Sequence, residues 1–81
     1  MTTNQSSIAK EARTIFESIR ESLEASHLNE FVTIEPISGR HFLGKTLSDA
    51  IGSARQENPE RLVHTFRIGH NAAVHFGLQI R

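Results

Sequence analysis

The chain has 81 residues, nine basic against nine acidic side chains and no cysteine. That size allows one domain with a lean core, and the balanced charge argues against a general nucleic-acid binder. Disulfides and thiolate metal sites are excluded outright. No apolar run approaches a membrane span, and the polar start MTTNQSSIAKEAR lacks the hydrophobic core of a secretory signal. A cytoplasmic location is therefore expected, with no membrane partner.

Met1 to Gln5 is polar and expected to fray. From Ile8 the apolar residues Ile8, Ala12, Ile15, Phe16, Ile19 and Leu23 recur at the spacing of one helical face. Ser6 or Ser7 fits the N-cap, and the helix should end between Ala25 and His27. Arg13 with Glu17, and Arg20 with Glu24, are opposite charges at i, i+4 on the solvated side.

Phe31 to Glu35 is aromatic and β-branched, which predicts a strand that Pro36 ends. Ser38-Gly39 signals a hairpin turn, and Arg40 to Gly44 returns as a second strand. A three-residue loop would set Phe42 beside Ile34 and His41 opposite Glu35. A two-residue loop would place Leu43 inside. Thr46 to Asp49 matches the N-cap pattern of a second helix, with Leu47, Ala50, Ile51 and Ala54 on its apolar face. Gly52 within it suggests close packing or a solvent-facing position, and Asn58-Pro59 stops it.

Arg61 to Ile68 alternates, with Leu62, His64, Phe66 and Ile68 on the inner side. Gly69-His70-Asn71 is a turn, and Ala73 to Ile80 alternates again, Val74, Phe76, Leu78 and Ile80 inward. The expected fold is a single α+β domain over residues 1–81, a two-layer sandwich of order α-β-β-α-β-β. A mostly antiparallel four-stranded sheet would carry both helices on one face.

Gly39 to Thr46, GRHFLGKT, matches the G-x-x-x-x-G-K-[ST] phosphate-loop pattern. Phosphate or nucleotide binding would use Gly39, Gly44, Lys45 and Thr46. The context opposes it: Ser-Gly reads as a hairpin turn, Phe42 and Leu43 as buried strand residues, and no apolar strand ending in a magnesium-binding acid follows. A metal site would draw on His41, His64, His70 and His75, yet His64 and His75 fall on opposite sheet faces and cannot meet at one ion. Ser38 or Ser48 with His41 and Glu35 or Asp49 gives a hydrolytic set on paper only, without a nucleophile elbow. No catalysis and no cofactor are expected. The outer sheet face, Arg61, Thr65, Arg67, His75 and Gln79 with His41 and Arg40, reads as a solvated surface or, more sharply, as a contact for a partner chain or acidic ligand.

The run FVTIEPISGRHFLGKTLSDAIGSARQENPERLVHTFRIGH resembles a group of short bacterial proteins of unknown function. They share the signature EP-x-SG-x-x-F-x-G-x-TL-x-EA-x-x-x-AR-x-x-x-P, followed by an R-[IV]-G strand end. Glu35, Pro36, Ser38, Gly39, Phe42, Gly44, Thr46, Leu47, Ala50, Ala54, Arg55, Pro59, Arg67, Ile68 and Gly69 match, with Asp49 in place of Glu. The resemblance implies the domain boundaries and a variable residue at the Lys45 position, and it carries no activity. The expected function is a non-enzymatic protein-interaction or accessory module acting as a homodimer. Phosphate binding and histidine metal binding stand as the alternatives.

Overall fold

The computed structural model describes residues 5–70, in the order α1 (Gln5–Ser26), β1 (Phe31–Glu35), β2 (Arg40–Gly44), α2 (Leu47–Glu57) and β3 (His64–Arg67). The chain is thus α+β, with two helices and a three-stranded antiparallel sheet of order β2-β1-β3 among the described residues. The expected fourth strand, Ala73 to Ile80, lies outside them. Of the five residues expected to fray, Gln5 is the first of α1 and the other four lie outside the described residues.

The periodicity of α1 does what its spacing predicts. Ile8, Ala12, Phe16 and Leu23 are buried in one stripe, with Ile15 and Ile19 half-buried beside it. Arg13 and Glu17 stand 3.7 Å apart and Arg20 and Glu24 3.2 Å apart on the opposite side. Such exposed pairs add little to stability, because water screens them.

The first hairpin turns through four residues, Pro36 to Gly39, rather than the two or three expected. Glu35 consequently faces Arg40, Ile34 faces His41, Thr33 faces Phe42 and Val32 faces Leu43. Gly39 supplies the left-handed backbone at φ +79°, and its N–H donates to the Glu35 carbonyl at 2.9 Å. A four-residue loop has the same parity as a two-residue one, so Leu43 points inward. It also brings His41 to the face of Ile34, not opposite Glu35.

Cross-strand partners share a face. Val32, Ile34, Leu43, His64 and Phe66 therefore lie on one side of the sheet, and Phe31, Thr33, Phe42, Gly44 and Thr65 on the other. α1 covers the first side, where Ala12, Phe16 and Leu23 join Val32, Ile34, Phe66 and Ile68 in one core. The Phe16 and Phe66 rings stack with centroids 4.5 Å apart and planes only 4° off parallel. α2 covers the second side. A Cβ added to Gly44 would run into the Ala50 backbone nitrogen and come within 2.7 Å of the Asp49 Cβ. Thr33 and Thr65, on that same side, are fully buried. α1 and α2 do not touch each other.

The expected two-layer sandwich with both helices on one face is thus corrected to a sheet with one helix on each face. Two features make the second face buriable. Gly44, Ala50 and Ala54 let backbone approach backbone closely, and the Thr33 and Thr65 hydroxyls satisfy each other at 2.9 Å.

The second helix begins as expected: Thr46 is extended, and its hydroxyl accepts the Asp49 N–H at 3.1 Å. Gly52 is the solvent-facing glycine of the two alternatives, with nothing within 4 Å of an added Cβ. The two glycines should therefore respond to alanine with opposite sign. Gly44→Ala is expected to lose about 1–3 kcal/mol by overpacking. Gly52→Ala is expected to gain about 0.5–1 kcal/mol through helix propensity. Urea denaturation midpoints of the two variants check both.

Candidate functional site

The eight residues of GRHFLGKT are laid out end to end as a turn glycine, a paired strand and a helix cap. A phosphate loop instead curls successive amides around an anion. Here the amides at the turn already have an anionic partner from the chain itself. The Glu35 carboxylate, 1% exposed, accepts the Ile37 N–H at 2.7 Å, the Ser38 N–H at 3.0 Å and the Arg61 guanidinium at 2.9 Å. Lys45 is exposed and Gly44 is pressed against α2. The four residues of the phosphate pattern are thus divided between a turn, a strand end and a cap.

Burial by itself would push the Glu35 carboxyl up. Hydrogen bonds from the Ser38 hydroxyl and from the Ile37 and Ser38 amides, with the Arg61 charge, outweigh it and hold the group below the usual carboxylate range. Glu35 is therefore a structural anion that ties the hairpin turn to the segment leading into β3.

The expected outer-face surface is divided by the tertiary fold. Thr65 is buried beneath α2 against Thr33, and Arg61 is bound to Glu35. Arg40 and His41 are exposed but lie on opposite faces of β2, Arg40 pairing with Glu57 at 3.0 Å. His75 and Gln79 lie outside the described residues. Of that set, Arg67 is the described residue at the end of the sheet, where it is half-buried.

The histidines are not gathered. His41 and His64 flank Ile34 on the α1 face, His64 buried with its ring 5.9 Å from that of Phe66. His70 lies past the far end of β3, and His75 is outside the described residues. Among the described residues, no three His, Cys, Asp or Glu side chains are placed to hold a metal ion. The hydrolytic set is dispersed as well. His41 is on the α1 side of the sheet, while Ser48 and Asp49 open α2 on the other side, and Glu35 is committed to the turn.

What the fold does assemble is a cleft of about 80 Å³ between α1 and the end of β3. Arg13, Glu17 and Arg20 line it from α1, Arg67 and His70 from the sheet end, and the stacked Phe16 and Phe66 form its apolar wall. Asn29 organises this end. It is the one non-glycine among the described residues with positive φ, at 73°, a conformation asparagine tolerates better than most residues. Its N–H donates to the Ile68 carbonyl at 2.9 Å, and its carbonyl accepts the Arg67 Nε–H at 3.3 Å. Its side-chain oxygen accepts the His70 Nε2–H at 2.9 Å. Arg67 is further fixed over the Phe31 ring at 5.4 Å, and Arg13 over Phe66 at 5.5 Å.

Arg13 and Arg20 thus both pair with Glu17, and Arg67 lines the cleft from the sheet end. Arg20 bonds to both Glu17 and Glu24, and its hydrogen bonds to Glu24 first, then Glu17, push its guanidinium further up. The sequence showed Arg13 and Arg20 only as partners in intrahelical ion pairs. The signal for the cleft was Asn29 in the short HLNE connection, a residue type suited to a left-handed backbone. Comparison of the chain with protein-family models, with curated proteins and with solved structures finds no match.

The buried Glu35 makes a prediction of defined sign. Its folded carboxyl titrates below the unfolded value, so its contribution is complete above the ordinary carboxylate range. That contribution is lost as pH falls through the folded value. Glu35→Gln is expected to cost about 2–3 kcal/mol at neutral pH. The gap to wild type should narrow in acid, as urea titrations from neutrality down to about pH 3 would show.

Proposed function

We propose that the chain is a non-enzymatic protein-interaction module that acts as a homodimer in the cytoplasm, in contact through the outer edge of β3. The observation that supports this is the sheet order β2-β1-β3, in which β3 has a strand partner on one side only among the described residues. A strand edge offers a row of backbone donors and acceptors to another chain. The β2 edge is guarded by exposed Arg40 and His41 and by Lys45 just beyond.

At the β3 end, exposed Leu28 lies against Gly69 and gives the contact an apolar centre beside Arg67 and His70. Arginine beside an exposed leucine suits a protein contact better than a bare solvated face. In this reading the alternating segment Ala73 to Ile80 is the strand that pairs at this edge with β3 of the partner chain. No helix among the described residues is long and apolar enough to cross a membrane.

Sedimentation velocity at micromolar concentration should show a dimer. Leu28→Asp should shift it toward monomer while leaving the melting temperature within a few degrees, about the range of surface substitutions. A wild-type monomer under these conditions would sink the proposal. The nucleotide alternative separates in a thermal melt. Binding through Lys45 requires ATP with magnesium to raise the melting temperature of wild type but not of Lys45→Ala, whereas the interaction module should show no rise in either.

A further inference from the structure

We infer that the groove between α1 and the start of β3 receives the apolar side chains Val74, Phe76, Leu78 and Ile80 of the segment Ala73 to Ile80. Which chain supplies the segment rests on the dimer reading above, in which it comes from the partner.

The groove holds about 310 Å³. Ala9, Lys10, Arg13 and Thr14 form its α1 wall, next to the buried stripe of Ile8, Ala12 and Phe16. Buried His64 and Phe66 form its β3 wall. Thr14 spends its hydroxyl on the Lys10 carbonyl at 3.1 Å, and the Arg13 guanidinium is laid over the Phe66 ring at 5.5 Å. The stems of Lys10 and Arg13 add methylene surface. The groove is therefore lined mostly by carbon and suits an apolar occupant.

Its place in the fold selects that occupant. His64 and Phe66 lie on the α1 side of the sheet, on a strand with a strand partner on one side only among the described residues. A strand added at that edge presents alternate side chains to the α1 side, in line with His64 and Phe66, and so to the groove. Ala73 to Ile80 offers two such sets. Val74, Phe76, Leu78 and Ile80 are all apolar, whereas Ala73, His75, Gly77 and Gln79 are small or polar. Only the first set suits a groove of this lining, and a slip of one residue would expose it to water.

Reach and continuity agree. The described chain ends at His70, beyond the opposite end of β3 from His64, and residues 71–81 follow. The eight residues of the segment are enough to run the full length of β3, which has four. The groove also adjoins the β3 edge at which the dimer contact is proposed.

The chain has no cysteine, so introduced cysteines can link only to one another. The test uses the full chain with Ala9→Cys or Thr14→Cys in the groove, and Phe76→Cys or Leu78→Cys in the segment. A disulfide needs Cα atoms about 4.4–6.8 Å apart, so linking reports direct contact. A groove variant and a segment variant, mixed in urea and refolded together under oxidised glutathione, are expected to give the mixed disulfide, identified by peptide mass mapping. His75→Cys, from the other set, is expected to stay unlinked. Two positions on each side keep the result from depending on one substitution that fails to fold. Linking found only when both cysteines sit in one chain would overturn the dimer reading and uphold the groove as the seat of these side chains. Absence of linking in both arrangements, or equal linking by His75→Cys, would overturn the groove assignment itself and leave the groove to another occupant.

Discussion

Strand β1 is buried on both faces: Val32, Thr33, Ile34 and Glu35 are all buried. A strand in that position must be covered twice, and with only two helices among the described residues each face receives one. The division of labour follows from side-chain size. The Val32 and Ile34 side meets the large residues of α1, and its stability comes from apolar area and ring stacking. The Thr33 side meets the alanines of α2 across a glycine, where close backbone approach replaces bulk.

Burying β1 on its polar face requires every polar group there to find a partner, since an unsatisfied one costs about 1–3 kcal/mol. Thr33 is satisfied by Thr65, and Glu35 by two turn amides and Arg61. No buried side-chain nitrogen or oxygen is left without a partner among the described residues. The Glu35 network explains why the hairpin loop has four residues: the carboxylate organises the turn from inside, and Arg61, 26 residues further on, neutralises it. Residues that match a phosphate pattern are thereby committed to holding the hairpin together.

The opposite end of the sheet is built around Asn29. Its backbone bonds splice the α1–β1 connection onto the end of β3, and its side chain fixes His70. The left-handed backbone at this residue is a local cost that the surrounding hydrogen bonds offset. Its consequence is that charged groups from α1 and β3, far apart in sequence, share one cleft beside the edge of the sheet.

The sequence by itself determined the elements that depend on local spacing and local chemistry. The apolar stripe of α1, the β-branched run of β1, the turn at Ser38-Gly39 and the Thr46 cap were all legible, because each reflects interactions within a few residues. The loop length and the side of the sheet taken by α2 were not. Alternating Thr33, Glu35 and Thr65 look like a solvated face until their partners are known, and those partners are 26 to 32 residues away. Three small residues, Gly44, Ala50 and Ala54, were the available clue that α2 seeks a close, polar surface rather than the bulky core. The cleft was equally hidden, since Arg13 and Arg20 read fully as helix ion pairs. Only the tertiary structure, by joining Asn29 to Ile68 and Arg67, decided that they line one cleft with the end of β3. Long-range hydrogen bonding between connection and strand end leaves no periodicity in the chain for a sequence to display.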